Sequence, residues 1–145
     1  MILPHTVTVY NIGLEDPQTY EREVNVTIIE GVFFDAQLRH SVGQTGAVNA
    51  DTVTLHIPLP INAKDAFTGE HKVYMTPKAY RASGDKTGLW TLSPKDCFFV
   101  KGVCVDESGD FQTINDNHED VYRCVAVDLK DFGSADMQHL EVTGR

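Results

Sequence analysis

His5-Thr6-Val7-Thr8-Val9-Tyr10 puts Val7 and Val9 on one face and Thr6, Thr8 and Tyr10 on the other, the two-residue period of a strand with one face in a core. The same rhythm recurs at 20–29 through Val24, Val26 and Ile28, and at 51–57, where Val53, Leu55 and Ile57 alternate with Thr52, Thr54 and His56. Gly31 supplies a bulge or bend, and Val32-Phe33-Phe34 then opens a third strand running to about Leu38. The most apolar run, 97–105, holds Phe98, Phe99, Val100, Val103 and Val105 and reads as a strand buried on both faces, with Gly102 marking a bulge. Residues 121–129 and 137–142 close the series, 71–75 adds a shorter strand, and 89–92 lies between the loop at 83–88 and the turn at 93–96. Thr76-Pro77 caps one helical turn through Ala82, with Pro77 at the first helical position.

These elements predict a mainly β fold, a small β-barrel or β-sandwich of about eight strands with long loops and at most a short helix. The chain of 145 residues is one domain over 1–145, large enough for a core without disulfides or metal. Residues 59–70 read as a polar connection. Two segments are oversized for connections, and such segments carry contacts or stay flexible. One is a flexible loop at about 39–50, with two glycines and no apolar period; the other is an acidic loop at about 106–120, a long loop or a short irregular helix with Phe111 and Ile114 as its only anchors.

Composition excludes several classes of function. A hydrophobic share of 41% with 23% charged residues is that of a folding chain. The net charge of −9, from 21 acidic and 12 basic residues, opposes gripping nucleic acid, whose phosphates need Lys and Arg. It gives solubility in the bland reading, and free passage of DNA in the functional one. Cys97, Cys104 and Cys124 have no paired spacing and read as buried thiols. The opening residues lack a signal-peptide pattern and no apolar run reaches membrane-spanning length, so synthesis in the cytoplasm and no membrane partner are expected.

Catalytic and metal motifs are sparse. Asp131-Phe132-Gly133 spells a kinase magnesium motif without the rest of a kinase, and a turn with Gly133 at positive φ explains it. The histidines His5, His40, His56, His71, His118 and His139 fall at no short ligand spacing. His56 and His71 are the pair that neighbouring strands could bring together, although a cross-strand surface pair is the commoner outcome. Acids around His118-Glu119-Asp120 do not follow a calcium-loop pattern and read as a solvated loop. No serine sits in a nucleophile elbow, and Trp90 between Leu89 and Leu92 reads as core. The expectation is no enzyme, no cofactor and no metal.

The distinctive stretches are His5-Thr6-Val7-Thr8-Val9-Tyr10-Asn11, Gly31-Val32-Phe33-Phe34, Val48-Asn49-Ala50-Asp51, Trp90-Thr91-Leu92-Ser93-Pro94-Lys95-Asp96, Val100-Lys101-Gly102, and Asp131-Phe132-Gly133-Ser134 with Met137-Gln138-His139-Leu140-Glu141-Val142. In this order they resemble a family of small uncharacterised morphogenesis proteins from phages and prophages of Gram-positive bacteria. The resemblance spans most of the chain and implies a structural virion protein of head-closure (stopper) or head-to-tail joining type. Its expected partners are copies of itself in a ring, a portal or adaptor protein, a tail terminator, and genomic DNA passing through the lumen without specific binding. The expected place is the head-to-tail junction of the virion. Candidate subunit or lumen contacts are Arg39, His40, Gln44 and Val48 in the first long segment and Met137, His139 and Leu140 near the end. The alternatives are a tail terminator, tail-completion or capsid decoration protein and, in another class, a small ligand-binding β-domain. An enzyme ranks last.

Overall fold

The computed structural model describes residues 5–15, 17–20, 22–41, 48–59, 61–84, 86–94, 96–106, 109–118, 120–131, 133–134 and 137–145. Its elements are β1 (His5–Glu15), β2 (Arg22–Ser41), β3 (Val48–Pro58), β4 (Asn62–Asp65), β5 (Val73–Tyr74), α1 (Pro77–Ala82), β6 (Leu89–Trp90), β7 (Cys97–Lys101), α2 (Phe111–Asn117), β8 (Val121–Lys130) and β9 (His139–Gly144). The fold is mainly β, as the alternating segments require, with two short helices where one helical turn is expected.

The pairings decide between barrel and sandwich. β1 pairs with β2 and β7, β7 with β8, β8 with β9, β9 with β3, and β3 with β2, all antiparallel. Followed strand by strand, the hydrogen bonds return to their start, so these six strands form a closed barrel; β4 adds to the flank of β2. Closure is the device that removes free sheet edges.

Two strands turn the corners. β2 lies against β1 over 24–32 and against β3 over 33–41. At the junction Gly31 takes φ 75°, and the register slips between His5 and Thr6 opposite it. A residue with a side chain is strained there, and glycine is not. The slip also exchanges faces: Ile29 points into the barrel, and past Gly31 it is Val32 and Phe34 that do so. The segments predicted as two strands are therefore one strand with a glycine corner. β8 bends likewise at a register shift between Cys124 and Ala126.

The barrel interior holds Val7, Val9, Ile29, Val32, Phe34, Val53, Leu55, Ile57, Phe99, Leu140 and Val142, with Trp90 and Leu92 among them from the segment around β6. A second cluster lies on the outside of the β1–β7 wall, where Tyr10, Phe98 and Val100 meet Ile114 of α2. Tyr10 stacks on Phe98 with ring centroids 4.8 Å apart, and its hydroxyl donates to the Asp106 carbonyl at 3.0 Å. Burial pushes the Tyr10 pKa far above its ordinary value, with the Cys104 contact adding to it. With α2 covering one face and the barrel filling the other, β1 and β7 are buried on both sides.

Several sequence expectations are corrected. The flexible loop placed at 39–50 is narrower, because 39–41 and 48–50 are paired strand; its centre, 42–47, lies outside the described residues. β7 stops at Lys101, where Gly102 takes φ 92° and turns the chain, so Val103 and Val105 are exposed rather than buried. The acidic segment 106–120 contains α2, anchored by Ile114. The connection 59–70 contains β4, whose polar Asn-Ala-Lys-Asp sequence carries no strand signal. Thr76 caps α1 as read, its hydroxyl accepting from the Ala79 amide at 3.3 Å.

Candidate assembly surface

β3 meets β9 only over Val53–Pro58, and β1 reaches no further along β2 than Val32. Beyond those rungs the pairs Gln37↔Thr52, Leu38↔Asp51, Arg39↔Ala50, His40↔Asn49 and Ser41↔Val48 have, among the described residues, only each other. The two strands thus run past the barrel as a ribbon, five residues on each side, or about 17 Å at ~3.3 Å per residue. Both outer edges of the ribbon carry backbone N–H and C=O groups pointing away from the pair.

Arg39, His40 and Val48 are on this ribbon, which brings three of the predicted contacts into one element. Gln44 lies outside the described residues. The C-terminal candidates divide. Met137 is exposed, and its amide donates to the Ser134 carbonyl at 2.9 Å. His139 opens β9 on the outer face. Leu140 is corrected: it is buried in the barrel interior with Val142, because in a strand the residue after an outward histidine points inward. It packs the core and is closed to a neighbouring subunit.

On the outer face of β3 and β9, His56 stands directly opposite Glu141, and His139 is two residues from Glu141 on the same side. One ligand atom from each of the three lies within 4.8 Å of the others. His71, which a neighbouring strand could have brought to His56, is instead bridged to Lys64. The signal for the true partner was the alternation His139-x-Glu141, which puts both side chains on one face of a strand.

A ligand-binding reading calls for polar groups converging on a preformed pocket. A cleft of about 520 Å³ is lined by Asn11, Glu23, Tyr80, Arg81, Lys86 and Asp96, among others. Its deep polar groups are engaged by the fold itself. The Asn11 amide donates to the Thr91 carbonyl at 2.7 Å and accepts from the Thr91 amide at 3.2 Å, while the Tyr80 hydroxyl accepts from Asn25 at 3.1 Å. In the neighbouring groove Lys72, 3% exposed, donates to Val26 O and Thr27 Oγ1 at 3.0 Å each and to Asn25 Oδ1, and pairs with Asp65 at 3.1 Å. Burial pulls the Lys72 pKa down, and Asp65 opposes that pull. All three ammonium protons are taken, so this lysine ties β4 to β2.

The thiols are equally enclosed. Cys104 lies 3.5 Å from His118 Nε2, but it is 2% exposed and its sulfur lies 3.0 Å from the Tyr10 hydroxyl. Cys97 and Cys124 are buried in the barrel, where the Cys124 contact and burial push the Cys97 thiol up. A nucleophile must meet its substrate, and none of these sulfurs reaches the surface. Among the described residues no helix is long and apolar enough to cross a membrane.

A family model described as a family of unknown function, DUF6751, matches residues 2–145. The chain belongs to DUF6751. No curated protein and no solved structure matches it. What this DUF6751 member presents to another molecule is the barrel wall, the ribbon and the side chains on its outer face.

Proposed function

We propose that the protein is a structural component of a tailed bacteriophage virion, a head-closure or head-to-tail connector that forms a ring below the portal and extends the DNA channel. The observation that carries this reading is the ribbon formed by 37–41 and 48–52, which pairs with nothing else among the described residues. A lone two-stranded ribbon is marginal in water, and its edges are templates for strand addition. A chain that closes its barrel completely yet extends such a ribbon is built to complete it on another chain. Contacts between unlike surfaces of identical subunits close into rings, and an arm laid on the next copy is one of these.

The net charge of −9 supports the same reading, because a channel lined by such subunits lets DNA pass without adhesion. The resemblance to phage morphogenesis proteins supports it independently. The partners then are copies of the chain, a portal or adaptor protein and a tail terminator, with assembly following synthesis in the host cytoplasm. The engaged polar groups of the cleft weigh against the ligand-binding alternative.

Imaging of intact particles at side-chain resolution tests the proposal. The expected result is one ring between portal and tail, with the ribbon against a neighbouring copy or in the lumen. A position on the capsid lattice or at the tail end would replace the joining role with decoration or tail termination. Absence from the particle would end the virion reading.

A further inference from the structure

We propose that His56, His139 and Glu141 form a binding site for a divalent transition-metal cation, zinc or a similar borderline ion, on the outer face of the β3–β9 pair. The reason lies in the hydrogen bonding of His139. Its Nδ1 lies 2.8 Å from the Met137 carbonyl. A carbonyl only accepts, so Nδ1 carries the proton and donates. That turns Nε2 toward Glu141, 3.6 Å from a carboxylate oxygen. A proton on Nε2 makes this contact an ion pair, and a metal cation held between nitrogen and carboxylate takes the proton's place.

The rest of the arrangement is that of a metal site. A ligating histidine characteristically donates its other ring nitrogen to a carbonyl or carboxylate, which fixes the ring and raises its basicity; the Met137 carbonyl occupies that place. His56 reaches the cation from the adjacent strand, its ring centroid 5.3 Å from that of His139. The ligand atoms lie within 4.8 Å of one another. Tetrahedral zinc with bonds of about 2.0–2.2 Å places its ligands about 3.4 Å apart, so side-chain rotations drawing the atoms together by at most about 1.4 Å suffice. Two imidazoles and one carboxylate suit zinc, cobalt or nickel in preference to calcium or magnesium. Three protein ligands leave a position open to water.

The surroundings set the strength. Asp128 of β8 faces Glu141, and Lys130 faces His139. Lys130 pairs with Asp128 at 2.6 Å, so one positive charge near the site is already compensated. Phe33 packs beside His56 with centroids 6.0 Å apart, narrowing access for water on that side. A bound cation would pin β3 to β9 toward the end of their pairing that lies away from the ribbon, where Pro58 meets His139.

Calorimetric titration of the full chain with zinc chloride, and absorption spectroscopy with cobalt chloride, provide the test. The expected result is one equivalent bound, abolished in His56→Ala and His139→Ala and weakened on the order of tenfold or more in Glu141→Gln. His71→Ala is expected to bind like the parent. Cobalt would broaden the NMR ring resonances of His56 and His139 in the unmodified protein, a readout that does not depend on any variant folding. No saturable binding, binding unchanged in both histidine variants, or equal loss in His71→Ala would overturn the assignment.

Discussion

Lys72 places an ammonium where β2, β4 and the groove floor meet. Removing the charge by Lys72→Met takes the lysine donor from Asn25 Oδ1 and Thr27 Oγ1, while Val26 O keeps the Ala66 amide at 3.2 Å. Breaking a buried, hydrogen-bonded ion pair from one side costs about 3 kcal/mol, so the urea midpoint of this variant should fall sharply. Its partner Asp65 gives a pH dependence. Burial pushes the Asp65 pKa up, but the Thr68 and Phe67 amides and Lys72 outweigh it and leave the value lowered. A carboxylate whose pKa is depressed by folding stabilises above its unfolded value and loses that contribution as pH falls through the folded one. Urea midpoints compared at pH 7 and below about pH 4 should therefore drop further for the parent than for Asp65→Asn. Gly144 is a different kind of constraint. A Cβ there would lie 2.4 Å from Phe99 Cζ and 2.9 Å from Tyr122 Cβ. Gly144→Ala overpacks the barrel and should destabilise by about 1–3 kcal/mol, measurable as a lower thermal midpoint.

Among the elements, α2 and the ribbon make opposite predictions. α2 is held by Ile114, wholly buried against Tyr10 and Phe98; Ile114→Ala should cost about 2–5 kcal/mol in chemical denaturation. The ribbon should contribute little to the free chain's stability. Deleting 39–50 and joining Leu38 to Asp51 through Asn-Gly, a sequence suited to a two-residue hairpin, should leave the denaturation midpoint nearly unchanged. Particle joining should be lost. A large drop in the midpoint would show that the ribbon serves the fold and would weaken the assembly proposal.

These elements also show what alternation reveals. β1 and β3 were legible because one face of each fills the barrel, which forces apolar residues to every second position. Residues 39–41 and 48–50 are placed by backbone pairing with each other, which needs no apolar period in the sequence. β4 was missed for a related reason: a short flank strand held by its backbone bonds and by Lys72 buries only one small apolar side chain, Ala63. Leu140 was misplaced because a list of contacts drawn from a contiguous stretch ignores the inside-outside alternation within it. The site at His56, His139 and Glu141 needed the register of β3 against β9, which no single strand contains.

At the scale of the whole molecule, closure makes the barrel a unit that opens as a whole. Cys97 and Cys124 lie inside it and Cys104 beneath the α2 cover, so all three thiols should stay inert to a disulfide reagent in the native protein. Their reaction should track unfolding as denaturant is added; rapid labelling of Cys97 in native buffer would contradict the closed barrel. The corner at Gly31 has a mechanical consequence as well. β2 is one continuous strand, barrel wall on both sides of that glycine through Ala36 and ribbon from Gln37 onward. A pull on the ribbon therefore runs along the strand axis into the β1–β2 rungs and strains them together in shear, whereas a pull across the sheet would peel them one at a time. A neighbour that gripped the ribbon, as the proposed assembly requires, would thus load many rungs at once rather than one after another.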